Sequence, residues 1–234
     1  MKILSIDSSA LVASVAVCED ESILAEYTLN NGNTHSETLL PMVESLLSAL
    51  GLKVSDIDLF AVSAGPGSFT GVRIGAATLK GLAFGSGKPC AEVSTLEALA
   101  ANLRGCDGLV CPVMNARRSQ VYTALFRVNG GKAERLMEDS ALSIAELDAM
   151  LAKYGEPIRL CGDGYDITER GFTQTELIFV PERQRMQSAV SVAHIALKNY
   201  REGRYCSDAE LGVNYLRPSQ AERERAERLK SEEK

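Results

Sequence analysis

The sequence predicts an α/β protein of two duplicated lobes, each built from a mixed β-sheet with flanking helices. Two observations predict this class: strands are followed by helices twice along the 234 residues, and each half opens on a strand–turn–strand pattern. With 45% hydrophobic residues, the chain can bury a substantial hydrophobic core. The prediction places a first lobe at residues 1–103, a second, smaller lobe at 104–217 and a charged C-terminal tail at 218–234. The last helix of the second lobe is expected to pack back on the first lobe.

Three short strands open the first lobe as an antiparallel meander. They are predicted at ILSID, LVASVAV and SILAEYTL, with turns at Ser8–Ala10 and at the acidic Glu19–Glu21. The lysine and the apolar residues at the N-terminus also suit a signal peptide. Asp7 and two serines interrupt that apolar run, which favours a first strand.

The segment THSETLLPMVESLLSALG predicts a helix. Thr34 and Glu37 have the spacing of a capping box, Gly51 marks the C-terminal end, and Pro41 predicts either a later start or a kink. The apolar residues cover about 160° of the helix surface, whereas packing on one sheet needs about 100°. The excess predicts a second contact surface, with another helix or another subunit; one wide core face explains the pattern equally well.

A glycine-rich loop, GPGSFTG, joins the buried strand DLFAVSAG to a helix from about Thr70 to Gly85. Such turns often hold an anion against the helix N-terminus. The spacing does not match a Walker A loop, because Val72 stands where lysine is required, and the dinucleotide fingerprint fails at Thr70. Ser68 and Thr70 are candidate helix caps. The other explanation is a tight turn that permits close packing.

Small residues dominate the helix that follows this loop. Gly71, Gly75 and Gly81 each cost about 1 kcal/mol relative to alanine inside a helix, which predicts that another backbone approaches closely. The only charges of the helix, Arg73 and Lys80, share one narrow edge.

The strand CAEV and a helix from Ser94 to Asn102 complete the first lobe, and the second lobe repeats the order. A helix capped by Ser143 and Glu146 is expected to run to about Tyr154. The strands are predicted at GLVCPVMNA, SQVYTALFRVNG, a stretch around 133–137, PIRLCGDG and LIFVP. The segment SAVSVAHIALKNYREG predicts an amphipathic helix, and the tail SQAERERAERLKSEEK predicts a solvated helix or frayed end.

Composition narrows the functional classes. The net charge of -6 argues against a protein that binds nucleic acid on its own, because phosphate contacts need clustered Lys and Arg. No stretch has the length and apolarity of a membrane span. The six cysteines show neither CxxC nor disulfide-framework spacing, which predicts reduced thiols and a cytoplasmic location.

No catalytic constellation and no metal site are predicted. His35 and His194 are the only histidines, neither has a second ligand at metal-binding spacing, and both are expected to be structural. The sequence has no GxSxG motif. Asp7, at a strand–turn junction, is either an ordinary turn former or a carboxylate that positions a metal-bound phosphate.

Five stretches together resemble the bacterial TsaB (YeaZ) family, a paralogue of the threonylcarbamoyl-adenosine tRNA transferase TsaD. The stretches are ILSIDSS, THSETLLPMVESLL, SAGPGSFTGVRIGAATLKGLA, NARRSQVYTALF and VNYLRPSQAE. The resemblance extends from residue 1 to about residue 222, and GPGSFTG-x-R-x-G is its most specific part. One departure is visible: Asn115-Ala116-Arg117 stands where the family usually has Asp-Ala-Arg, so a carboxylate is missing there.

The resemblance implies a two-lobed actin-like/Hsp70-like (ASKHA) architecture. It also implies a role in forming N6-threonylcarbamoyladenosine (t6A) at position 37 of tRNAs that read ANN codons. In that role the chain is a non-catalytic, dimerising companion of a TsaD-like transferase, joined by a TsaE-like ATPase, and it meets tRNA only indirectly. Whether the chain alone is a monomer or a homodimer stays open, and ATP or ADP is expected to bind weakly or only within the complex.

The resemblance further implies that the first-lobe helices contact the partner. The predicted interface residues are Leu39, Met42, Val43, Leu46, Leu50, Gly71, Arg73, Gly75, Leu79 and Lys80. The candidates for a weak nucleotide site are Asp7, Ser8, Gly67, Ser68, Gly162 and Gly164. An alternative function, an ATP-dependent phosphotransferase of actin-like fold, would use Asp7 and these glycine turns. A peptidase has neither a nucleophile nor a metal cluster to support it.

Overall fold

Two five-stranded sheets organise residues 1–217, the part of the chain that the computed structural model describes. The first sheet contains β1 (Lys2–Asp7), β2 (Ala13–Glu19), β3 (Ser22–Leu29), β4 (Leu59–Gly65) and β5 (Cys90–Ser94). The second contains β6 (Gly108–Asn115), β7 (Gln120–Asn129), β8 (Lys132–Ser143), β9 (Ile158–Cys161) and β10 (Leu177–Ile178). The helices are α1 (His35–Leu50), α2 (Phe69–Ala83), α3 (Thr95–Ala101), α4 (Ile144–Leu151), α5 (Tyr165–Gly171), α6 (Glu182–Arg185) and α7 (Ala189–Arg201). The predicted charged tail lies outside the described residues.

Both sheets have the same topology. The first has the order β3-β2-β1-β4-β5, with β1–β3 antiparallel and β1, β4 and β5 parallel. The second repeats this as β8-β7-β6-β9-β10, again with three antiparallel strands followed by two parallel additions. This duplication confirms the predicted mixed-sheet α/β class.

Local sequence signals account for the ends of α1. Gly51 follows the helix in the left-handed conformation, with φ of 66°, as its residue type predicts. Pro41 lies inside the helix, which begins at His35. The predicted capping box does not form, because the Thr34 hydroxyl donates to the Glu37 carboxylate at 2.8 Å instead of accepting from a backbone N–H.

Four elements of the second half differ from the prediction. The strand expected around residues 133–137 extends over the whole of β8, which pairs along its length with β7. The strand expected in LIFVP shrinks to the two residues of β10. The short helices α5 and α6 were not predicted, because segments of seven and four residues are too short to show helical periodicity.

Within residues 1–217, the buried apolar side chains form four core clusters. Helices α1 and α2 pack on one face of the first sheet, and α7 covers its other face. Helix α3 packs on both sides: Ala98 lies in the core beside α7, while Leu96 and Leu99 lie under the second sheet. Helices α4 and α5 cover the remaining face of the second sheet. The first sheet therefore depends on a helix that lies about 100 residues later in the chain.

After α7 the chain returns to the first sheet as a segment that we call the C-terminal strap, residues 206–217. Cys206 exchanges two backbone hydrogen bonds with Cys90 of β5, each 2.8 Å long. Further along, Leu211 is buried in the α1–α2 core and the Asn214 N–H donates to the Ala64 carbonyl at 2.7 Å. Within residues 1–217, no helix has the length and apolarity needed to cross a bilayer.

Candidate functional site

A cleft of about 690 Å³ opens where loops from both sheets meet. The first half contributes Ser9–Leu11, Asn33–His35 and the start of α2 to its walls. The second half contributes the end of β6, with Asn115 and Arg117, together with Asp163 and the last residues of the strap. The cleft is therefore the natural candidate for a binding site between the two halves.

The glycine-rich loop forms one wall of this cleft. Ser68 caps α2, since its Oγ accepts from the Gly71 N–H at 3.2 Å, and its own N–H donates to the Ser9 carbonyl at 2.7 Å. A Cβ atom on Gly67 would lie 2.5 Å from the same Ser9 oxygen. The loop is thus pressed against the turn after β1, which favours the close-packing explanation of its glycines.

Asp7 is fully buried beneath that turn and does not line the cleft. Its Oδ1 accepts from the N–H and the hydroxyl of Ser9, at 2.9 and 2.6 Å, and its Oδ2 accepts from the Ser63 hydroxyl at 2.6 Å. Burial raises the pKa of this carboxyl, while the hydrogen bonds from Ser63 and Ser9 act in the opposite direction. These contacts are those of a residue that forms the turn.

The other nucleotide candidates are also engaged within the fold. The Ser8 hydroxyl is buried and donates to the Gly71 carbonyl at 2.9 Å. The Gly164 N–H donates to the Val113 carbonyl at 3.0 Å, and a Cβ on either Gly162 or Gly164 would crowd that oxygen. Of the six predicted residues, only Gly67 and Ser68 line the cleft. Four of the six predicted residues therefore lie away from the cleft, and the weak nucleotide site stays a prediction.

Asp163, which is not among the predicted site residues, lines the cleft. It sits between the two glycines of the Gly-Asp-Gly turn, and its Oδ1 accepts from the Asn115 N–H at 3.3 Å. Burial raises the pKa of this carboxyl to about 6, and the negative charge of Asp7 adds to the effect. An acidic residue enclosed by turn-forming glycines after a buried strand is the signal that could have identified it.

The hairpin opposite this carboxyl has an unusual backbone. Arg117, Arg118 and Ser119 all have positive φ, at 62°, 54° and 57°. Consecutive left-handed residues other than glycine are uncommon and store strain. The Asn115 Oδ1 supports the turn by accepting from the Arg117 N–H at 2.8 Å. The amide thus makes the hydrogen bond that a carboxylate could make, without a second negative charge beside Asp163.

Six of the ten predicted interface residues are buried within the fold. Leu39, Val43, Leu46 and Leu79 are at most 1% exposed because they face the first sheet. Gly71 and Gly75 are also buried, and a Cβ on either would overlap an atom of Ser8. The close approach at these glycines comes from the chain's own turn after β1: the Ser8 carbonyl oxygen meets Gly71, and the Ser8 hydroxyl meets Gly75.

The two predicted interface charges hold the strap. The Arg73 Nε donates to the Tyr215 hydroxyl at 2.5 Å, and its guanidinium lies 3.7 Å from the centre of the Phe69 ring. The Lys80 Nζ donates to the Ala209 carbonyl at 3.2 Å. The two remaining interface candidates, Met42 and Leu50, are half-buried against the core.

A second concave surface, which we call the α1–α2 groove, lies on the outer side of these helices. It has a volume of about 530 Å³. Its apolar lining residues are Leu40, Val43, Leu47, Leu52, Val54 and Leu82. Leu40 is 55% exposed, and Phe84, just after α2, is 81% exposed. Leu40 is therefore at the centre of the apolar surface of α1 that does not face the core.

Comparisons with known proteins match this chain to TsaB proteins and to a TsaD family model. The sequence model described as "TsaD: tRNA N6-adenosine threonylcarbamoyltransferase" matches residues 22–211. The chain is 38% identical over 162 residues to the tRNA threonylcarbamoyladenosine biosynthesis protein TsaB of Bacillus subtilis (strain 168). The aligned residues cover 69% of this chain and 71% of the relative. It is also 38% identical over 129 residues to TsaB of Escherichia coli (strain K12), covering 54% of this chain and 55% of the relative.

Solved structures give the same answer for the fold. A Pseudomonas aeruginosa protein described as similar to the peptidase YEAZ superposes with a TM-score of 0.80 at 26% identity, covering 92% of this chain and 99% of that one. A structure of YeaZ from the same organism superposes with a TM-score of 0.77, also at 26% identity. With this fold, the family-model match and the TsaB relatives, the chain belongs to the TsaB (YeaZ) family, which is paralogous to TsaD.

Proposed function

We propose that this chain is a non-catalytic subunit in the formation of t6A at position 37 of tRNAs that read ANN codons. The names of its TsaB relatives support the pathway. The match to a TsaD sequence model supports a TsaD-like transferase as the partner, because paralogues of one fold can pair through equivalent surfaces. A TsaE-like ATPase completes the proposed assembly, and tRNA reaches this chain only through the complex.

The α1–α2 groove is the observation that carries the subunit role. Exposed apolar surface of this kind, with polar residues at its rim, is typical of protein–protein contact sites. The polar residues that line the groove are Glu44, Ser48 and Lys53. A partner helix packed along α1 would remove Leu40 and Leu82 from water together. In the isolated chain, a second copy would use the same groove.

Leu40→Glu tests the groove, because it places a charge on the apolar surface without changing a buried residue. We expect the affinity for a TsaD-like partner, measured by calorimetry, to fall at least about 10-fold, since that factor corresponds to only about 1.4 kcal/mol. Ile23→Glu is the matched control: Ile23 is 58% exposed and lies on β3, outside the groove. Both variants should unfold at the temperature of the parent, and equal affinities for all three proteins would exclude the groove as the interface.

The pathway is tested separately in cells depleted of the protein. Mass spectrometry of tRNA nucleosides should show loss of t6A, restored by the parent and by Ile23→Glu and not by Leu40→Glu. Unchanged t6A after confirmed depletion would overturn the proposed function. The alternative phosphotransferase has less support, because Asp7 is buried and already accepts three hydrogen bonds. Absence of ATP binding by the isolated chain at millimolar ATP would remove that alternative.

A further inference from the structure

Two cysteines far apart in sequence lie directly opposite each other where the C-terminal strap meets β5. Cys90 and Cys206 form an antiparallel backbone bridge across 116 residues of sequence. Each N–H donates to the other residue's carbonyl at 2.8 Å. Residues paired in this way have Cα atoms about 5.5 Å apart, within the range of about 4.4–6.8 Å that a disulfide spans.

The two side chains also point the same way. Directly opposite residues of an antiparallel pair project on one face, and both thiols pack against the same α1–α2 core. The Cys206 Sγ lies 3.5 Å from the Cys90 carbonyl oxygen. Cys90 is fully buried, whereas Cys206 is only half-buried and therefore open to a small reagent.

Cys111 and Cys161, the other close cysteines, form an instructive contrast. They lie on the neighbouring parallel strands β6 and β9, but Cys111 is opposite Leu160 and Cys161 is opposite Pro112. Their thiols belong to the cores on opposite faces of the second sheet. Proximity alone therefore does not suit that pair to a covalent bond, whereas register and facing side chains suit Cys90 and Cys206.

We propose that Cys90 and Cys206 form a redox-sensitive pair that a low-molecular-weight disulfide converts into an intramolecular disulfide, fixing the C-terminal strap to β5. The Cys206 thiolate attacks one sulfur of the reagent, forms a mixed disulfide and releases one thiol. The Cys90 thiolate then attacks the Cys206 sulfur and releases the second thiol. Two protein thiols are oxidised and one reagent disulfide is reduced to two thiols, so electrons and protons balance.

The surroundings make this exchange slow at neutral pH and faster in alkali. The pKa of each thiol is raised to about 11, chiefly by burial. Smaller contributions in the same direction come from Cys206 and Asp208 at Cys90, and from Glu92 and Glu210 at Cys206. Lys80 acts in the opposite direction on both thiols. Since the thiolate is the attacking species, the rate should rise as the pH approaches 11.

The experiment incubates the folded chain with oxidised glutathione at pH 9 and counts thiols by alkylation under denaturing conditions, followed by mass spectrometry. We expect two of the six thiols to become protected and a linked peptide containing Cys90 and Cys206. The melting temperature should rise by up to about 10 °C, because the bond closes a long loop. Reduction with excess thiol should reverse both changes.

Two variants make the result specific to the pair. Cys106→Ser, at another half-buried cysteine, should behave as the parent does, whereas Cys206→Ser should form no intramolecular disulfide and show no rise in melting temperature. If Cys206→Ser is not folded by circular dichroism, Cys206→Ala replaces it. Six free thiols in the folded parent at equilibrium, or a disulfide that persists in the Cys206 variant, would overturn the proposal.

Discussion

Ser8 and Ser9 occupy the space next to the first turns of α2 that side chains would otherwise fill. The carbonyl oxygen of Ser8 lies where a Cβ of Gly71 would stand, and the carbonyl oxygen of Ser9 crowds the same position at Gly67. The composition of α2 was predictive of a close backbone approach. Which backbone approaches was not predictable, because the turn after β1 is 63 residues from Gly71 in sequence.

Gly71→Ala tests this contact at the scale of one methyl group. We expect a loss of about 1–3 kcal/mol in the free energy of unfolding, since the Ser8 backbone must shift to admit the Cβ. Gly81→Ala in the same helix is the matched control, because nothing lies within 4 Å of its Cβ position. Its stability should be unchanged or higher by up to about 1 kcal/mol. Urea denaturation measures both, and equal losses would contradict the assignment.

The Asp163 carboxyl makes the stability of the parent depend on pH. Its folded pKa is about 6 against a reference of 3.8, so the folded state binds this proton more tightly than the unfolded state. Protonated Asp163 therefore stabilises the folded state fully below pH 3.8, and this stabilisation is lost as the pH rises through about 6. Asp163→Asn is always neutral and keeps an acceptor for the Asn115 N–H. We expect it to exceed the parent by up to about 3 kcal/mol at pH 7 and to match it near pH 4. Parallel pH profiles from urea denaturation would refute this.

At the scale of elements, the apolar periodicity of α1 predicted a helix with more than one contact surface. Periodicity gives the width of the apolar arc, but the arc's position on the core depends on how α1 lies across β2 and α2. For that reason the predicted interface includes Leu39 and Val43, which are buried, and omits Leu40, which is exposed. The contact between the strap and α2 was not predictable for a similar reason. The hydrogen bonds of the strap to Lys80 and to β5 join residues far apart in the chain, so no local sequence pattern indicates them.

Helix α4 organises the loop that leads into β10 through one carboxylate. Asp148 is 2% exposed and accepts from the backbone N–H groups of Thr173, Gln174 and Thr175, at 2.7, 3.1 and 3.0 Å. Burial by itself raises the pKa of this carboxyl, but the hydrogen bonds outweigh it and the pKa is lowered. The contribution of Asp148 is therefore present at neutral pH and is lost as the pH falls below its usual pKa.

Asp148→Ala should remove that support and leave three N–H groups without their acceptor. We expect a loss of about 2–4 kcal/mol at pH 7, measured by urea denaturation, and a smaller difference from the parent at acidic pH. Asp148→Asn, which keeps one acceptor oxygen, should lie between the two. A loss that is independent of pH would show that packing, not the charged hydrogen bonds, carries the effect.

At the scale of the whole molecule, α3 and α7 hold the two halves together, because each belongs to one half and packs on the sheet of the other. The face of the first sheet that carries Ile3, Leu59 and Ala61 is covered by α7, and α3 contributes to the cores of both sheets. The repeated strand–helix order predicted two lobes. The boundary at residue 103 remains a proposal, and α3 and α7 tie the structures on either side of it together.

A fragment of residues 1–103 should therefore not fold on its own. We expect it to bind a hydrophobic dye and to unfold without a cooperative transition, because one apolar face of its sheet is open to water. Addition of a fragment of residues 104–217 should restore cooperative unfolding, followed by circular dichroism. A cooperative transition of the first fragment alone would contradict this dependence on α7.

The position of α7 also matters while the chain is being made. The first sheet is complete in sequence at Ser94, but the helix that covers its second face begins only at Ala189. At ordinary rates of translation, the ribosome needs about 5–20 s to add the intervening residues. During that interval the nascent sheet presents an apolar surface to the cell, so a general chaperone that binds emerging apolar segments would meet this chain before any partner subunit does.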